Sequence, residues 1–116
     1  MIESKVLSSF KGCKCLVTGG TGMIGSEVVK LLCDAGAKVT VVSLDNILVD
    51  DRADHVNSDL TDFENCKKLT KGIDKVFHIA GIKGSIEVTQ KMPASFFVPL
   101  IMFNTNILEA ARLANV

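Results

Sequence analysis

The stretch Thr18-Gly19-Gly20-Thr21-Gly22-Met23-Ile24-Gly25 constrains this 116-residue chain more than any other. Its glycines follow an apolar, strand-like run at residues 13–18 and open a segment of helical apolar spacing at about residues 22–35. They satisfy G-x-G-x-x-G from Gly20 and G-x-x-G-x-x-G from Gly19 at once. Each glycine has a physical task in a strand-to-helix turn. Gly19 can take a positive φ, Gly22 admits a diphosphate close to the backbone, and Gly25 lets the helix settle on the strand. The free N–H groups and the positive end of the helix dipole then face an anion. A nucleoside triphosphate loop would need a lysine after its last glycine, whereas Ser26-Glu27 follow Gly25.

The rest of the chain alternates strands with helices. Strands are expected at residues 13–18, 38–43, 55–58 and 75–80. In the first helix Ile24, Val28, Leu31, Leu32 and Ala35 form the expected apolar stripe, and Gly36 stands at its C-terminal cap. Thr61 or Asp62 can cap a second helix running to about residue 71, ended by Gly72. Residues 45–54 and 81–92 read as loops. A last helix at 93–115 carries Phe96, Leu100, Phe103, Ile107 and Ala111 on one stripe, widened by Phe97, Ile101 and Leu108, with Pro99 an expected interruption. This order implies an α/β fold, a Rossmann-type doubly wound parallel sheet with local strand order 3-2-1-4, over one domain at 1–116.

Composition excludes several function classes. Thirteen basic residues balance thirteen acidic ones, and no basic stripe offers itself to nucleic acid or an anionic membrane. The longest apolar run, residues 96–103, is short of the ~20 residues that span a bilayer. Residues 1–10 lack the apolar core of a signal peptide, so a cytoplasmic protein is expected. Cys13, Cys15, Cys33 and Cys66 lack metal-ligand spacing and read as free, buried thiols.

Asp45 stands twenty residues after Gly25, at the end of the second strand. An acid there accepts hydrogen bonds from the adenosine ribose and repels a 2′-phosphate. The first arginine after it is Arg52, so NAD is favoured over NADP. Asp59 follows the third strand and reads equally well as a helix cap. His78, in an apolar strand, reads as a packed, hydrogen-bonded core residue.

Taken together, these motifs resemble the extended short-chain dehydrogenase/reductase family of nucleotide-sugar epimerases, dehydratases and reductases, from about residue 12 to 116. Residues 16–26, Leu16 to Ser26, match its signature almost residue for residue. The resemblance implies that Gly19, Thr21, Gly22, Met23, Ile24 and Gly25 hold the cofactor diphosphate. It implies that Asp45 and Asn46 meet the ribose, and Asp59 and Leu60 the adenine. Val76-Phe77-His78-Ile79-Ala80-Gly81-Ile82-Lys83 resembles the strand and loop beneath the nicotinamide ribose, with Ala80, Gly81 and Lys83 as contacts. Asn106-Ile107-Leu108-Glu109-Ala110-Ala111 matches the family's helix ending.

Two departures stand out. The family's Ser/Thr and Tyr-x-x-x-Lys lie beyond this point, and the sequence has no tyrosine. Leu100 replaces a family asparagine. The expectation is the NAD-binding portion of a nucleotide-sugar epimerase or dehydratase, truncated before the later strands and without its own catalytic residues. The alternative is a non-catalytic NAD-binding sensor or scaffold. In either case an open sheet edge or the apolar last helix invites homo-oligomers.

Overall fold

A computed structural model describes residues 2–82 and 84–116. A short helix, α1 (Ser4–Ser8), precedes β1 (Lys14–Thr18), α2 (Met23–Asp34) and β2 (Lys38–Ser43). Then follow β3 (Asp54–Asn57), α3 (Phe63–Thr70), β4 (Lys75–His78), α4 (Ile86–Lys91) and α5 (Pro93–Leu113). The four strands form one parallel sheet in the order β3-β2-β1-β4, the Rossmann order expected from the strand-helix alternation.

Strand β1 lies in the middle and shows why its residues are almost all apolar. Successive side chains point to opposite faces, and both faces are covered. Cys15 and Val17 pack with Val29, Leu32 and Cys33 of α2, and with Val39 and Val41 of β2. Leu16 points the other way, into Cys66 of α3 and Phe103, Ile107 and Ala110 of α5. Helix α2 therefore covers one face, and α3 and α5 cover the other.

Several expectations shift. The third strand starts at Asp54 and the fourth ends at His78. The buried face of α2 is Gly25, Val29, Leu32 and Cys33, whereas Ile24 and Leu31 are exposed. Each residue turns the helix by about 100°, so a stripe chosen one position off faces solvent. Residues 81–92 hold α4, with the Ser85 hydroxyl accepting from the Val88 N–H (3.3 Å). Six residues are too few to show helical periodicity. The same holds for α1. Beyond α1, Phe10 meets Phe77 with ring centroids 6.0 Å apart.

Helix α5 runs through Pro99 as one span. It buries Phe96, Phe103, Ile107 and Ala110 and leaves Phe97, Ile101 and Leu108 exposed. Its 21 residues hold an 18-residue window of mean hydropathy 1.3, so it is long and apolar enough to cross a membrane by length and composition, which the eight-residue run 96–103 does not reveal. In this fold one side of it packs on the sheet, and the Asn106 amide donates to the Leu60 and Thr61 carbonyls (3.1 and 3.0 Å).

Cys15, Cys33 and Cys66 are buried and Cys13 is half-buried, all as free thiols. Burial pushes the Cys66 thiol up to about 11 and raises Cys15 and Cys33 in the same direction. These thiols stay protonated near neutral pH and act as small apolar groups.

Leu16 is fully buried between β1 and the α3/α5 layer. Leu16→Ala is expected to lower unfolding free energy by about 2–5 kcal/mol, read as a lower urea midpoint at unchanged slope.

Candidate functional site

The C-terminal ends of the parallel strands open into a cleft of roughly 770 Å³. It lies where the crossovers from neighbouring strands β1 and β4 go to opposite faces of the sheet, the place where α/β sheets receive ligands. Its wall begins with the turn after β1. Gly19 adopts φ 68°, and its N–H donates to the Val42 carbonyl (2.9 Å). A Cβ on Gly19 would come within 2.7 Å of the Ala80 backbone at the end of β4. The Gly22 N–H then donates back to the Gly19 carbonyl (3.1 Å), closing the turn.

Helix α2 starts against that turn. A Cβ on Gly25 would strike the Gly19 carbonyl oxygen and lie 2.8 Å from the Gly20 Cα. Only glycine lets the first turn of α2 rest directly on the loop. Gly22 is the N-cap and brings no side-chain hydrogen bond to the helix start. The first-turn N–H groups have no intrahelical acceptors, so they face the cleft as donors for an anion. Met23 and Ile24, 87% and 66% exposed, stand at its rim.

Asp45 supplies the opposite charge pattern. Its Oδ1 accepts from the Ile47 N–H (3.0 Å) and the Ser43 hydroxyl (3.4 Å), and its Oδ2 accepts from the Thr21 hydroxyl (2.8 Å). An aspartate at the end of β2 is thus tied to the glycine loop. Asp59 lines the cleft beyond β3, where its Oδ1 accepts from the Thr61 N–H and hydroxyl (2.9 and 2.8 Å). The α3 cap is Asp62, whose carboxylate accepts from the Glu64 N–H (2.9 Å).

At the β4 side, polar groups form a chain through the sheet. The buried Thr18 hydroxyl accepts from the Ile79 and Ala80 N–H groups (3.2 and 3.3 Å) and lies 2.6 Å from His78 Nδ1. His78 Nε2 lies 2.6 Å from Asn104 Oδ1 on α5. An amide oxygen only accepts, so Nε2 carries the proton and Nδ1 accepts from Thr18. His78 is the packed, hydrogen-bonded histidine its strand implied, set edge-on to Phe103 at 5.8 Å. It links the floor of the cleft to α5.

Of the residues marked from sequence, Gly19, Thr21, Gly22, Met23, Ile24, Gly25, Asp45, Asp59, Leu60, Ala80 and Gly81 all line this one cleft. Asn46 does not. It turns to a neighbouring small hollow, where its side-chain oxygen accepts from Asn57 (3.3 Å). Leu44 and Asp45 form a bend after β2, and that bend carries Asn46 away from the cleft. Lys83 lies outside the described residues. Sequence reasoning missed Ser43, Leu44, Ser58 and Thr61, which a rule of reading every strand end would have found, and Pro99 and Phe103 of α5, for which no local signal exists. Among the described residues no group of His, Cys, Asp or Glu is arranged to hold a metal ion.

The model of the NAD dependent epimerase/dehydratase family matches residues 15–116. The chain belongs to that family. It is 37% identical to the bifunctional protein GAL10 of Kluyveromyces lactis over 84% of this chain and 16% of that protein. It is 32% identical to a UDP-glucose 4-epimerase of Yersinia enterocolitica (87% and 34% covered). A 3 beta-hydroxysteroid dehydrogenase/Delta 5-->4-isomerase of Mycobacterium tuberculosis is 31% identical (87% and 29%). Among solved structures, an epimerase from Methanothermobacter thermautotrophicus superposes with a TM-score of 0.84 at 27% identity, over 96% of this chain and 35% of that one. The chain therefore spans about a third or less of the proteins it matches.

Two substitutions test the geometry. Gly25→Ala has no room beside the Gly19 carbonyl, so it should cost about 1–3 kcal/mol of stability or more in chemical denaturation. Thr18→Val deprives His78 of its donor and the Ala80 N–H of an acceptor, whereas the Ile79 N–H keeps the Thr18 carbonyl (3.1 Å). A loss of about 1–3 kcal/mol is expected, with Thr18→Ser retaining most of the stability.

Proposed function

We propose that this chain is the NAD-binding portion of a nucleotide-sugar epimerase or dehydratase, an oxidoreductase working by hydride transfer at a sugar carbon. The observation that carries the reading is a convergence. The uncapped start of α2 at Gly22 and the Asp45 carboxylate face the same cleft at the switch point of the sheet. The first fits a diphosphate and the second a ribose, the two adjacent parts of a dinucleotide.

In this reading the amides of the α2 first turn neutralise the diphosphate charge, and Asp45 accepts from the ribose hydroxyls. A 2′-phosphate would meet a second negative charge there, which favours NAD over NADP. Asp59 and Leu60 border the place of the adenine. When bound, the nicotinamide supplies the hydride acceptor and donor. Ala80 and Gly81, braced through Thr18, His78 and Asn104, form the floor on which that end of the cofactor would rest. No tyrosine exists in these 116 residues, so a phenol that exchanges the substrate proton would come from outside them. The name of the Yersinia relative supports a nucleotide-sugar substrate.

Calorimetric titration tests the cofactor half directly. The chain is expected to bind NAD, and Asp45→Ala to weaken that binding by about tenfold, the worth of a charge-assisted hydrogen bond. No heat at millimolar NAD from folded protein would overturn the reading.

A further inference from the structure

Thr21 occupies the variable position inside the glycine loop, where the spacing pattern asks for no particular residue. Its hydroxyl nonetheless donates to Asp45 Oδ2 at 2.8 Å, bridging two segments 24 residues apart. Oδ1 of the same carboxylate is held by the Ile47 N–H, and the Ser43 hydroxyl donates to the Asp45 carbonyl (3.0 Å) more closely than to Oδ1 (3.4 Å). Both oxygens are thus held before any ligand arrives, Oδ1 from the β2 side and Oδ2 from the loop.

We infer that Thr21 is a positioning residue for Asp45, coupling the diphosphate loop to the ribose acid and setting the discrimination between NAD and its 2′-phosphorylated form. The inference rests on the dinucleotide reading and goes one step further. Held at both oxygens, the carboxylate is fixed in direction as an acceptor for ribose. An aspartate at an exposed strand end otherwise samples several rotamers, and ordering it on binding costs free energy. Thr21 meets that cost in the free protein. It also keeps the negative charge where a 2′-phosphate would have to sit. Without Thr21 the tie of Oδ2 to the loop is lost and the carboxylate can turn about its bond from Ile47, which harms NAD but relieves NADP.

Thr21→Val preserves shape and removes the donor. Calorimetry with NAD and with NADP should show NAD binding weakened about five- to tenfold and NADP binding changed by less than about twofold, narrowing the preference by about fivefold. Thr21→Ser should return NAD affinity to within about twofold of the original. In an Asp45→Ala background, Thr21→Val should cause no further loss, since the group it positions is gone. Equal losses for both nucleotides, failure of serine to rescue, or an undiminished effect without Asp45 would each overturn the inference in favour of general loop damage. An NAD affinity unchanged by Thr21→Val would overturn it alone. A folded, unsubstituted chain that binds neither nucleotide would overturn the dinucleotide reading as well.

Discussion

Where β1 ends, the Cα of Gly25 rests against the Gly19 carbonyl and the Gly20 backbone, at a separation that no side-chain carbon could share. That contact sets the direction in which α2 leaves the sheet and the depth at which it lies. Val29, Leu32 and Cys33 are then carried onto Cys15, Val17 and Val41, so one face of the sheet is closed by the same geometry that opens the cleft. The helix start has no side-chain cap, and its first amides remain donors pointing into that opening. A bulkier loop would push the helix off the strands and turn those donors elsewhere. Packing and anion recognition are consequences of one close approach.

The other side of the cleft is braced differently. Helix α5 is held by the apolar contact of Phe103, Ile107 and Ala110 with Leu16 and Val42, and by polar ties at two levels. Asn106 secures the segment after β3, and Asn104 secures His78 and through it Thr18. Buried polar groups are costly unless every partner is supplied, and this chain of groups supplies them; among the described residues no buried side-chain polar atom lacks a partner. The ends of β1 and β4 are therefore tied to α5 through Thr18, His78 and Asn104. The exposed Phe97, Ile101 and Leu108 leave the outer side of that helix apolar.

Much of the fold was legible because it rests on local signals. Period-two and near-continuous apolar runs mark parallel strands, and the interval between glycines marks the turn that joins strand to helix. The β2 span was read without error, and the strand order followed from alternation and crossover handedness. Short elements were not legible. Helices α1 and α4 are five and six residues long, below the length at which a repeat of 3.6 can be told from chance. The face of α2 was misread because Ile24 and Leu31 are apolar yet exposed, and hydrophobicity alone does not set the rotation of a helix about its axis.

The sequence by itself determined the order of the strands, the glycine turn and the acid after β2, because each depends on residues within a few positions or on a rule of chain topology. Only the tertiary structure decided which residues share a cleft and what they hold. Pro99 and Phe103 reach it from α5, Asn46 turns from it, and the Thr21 hydroxyl grips an aspartate 24 residues away. Such relations depend on where separate elements come to rest, and that position follows from the summed packing of both sheet faces rather than from any local pattern.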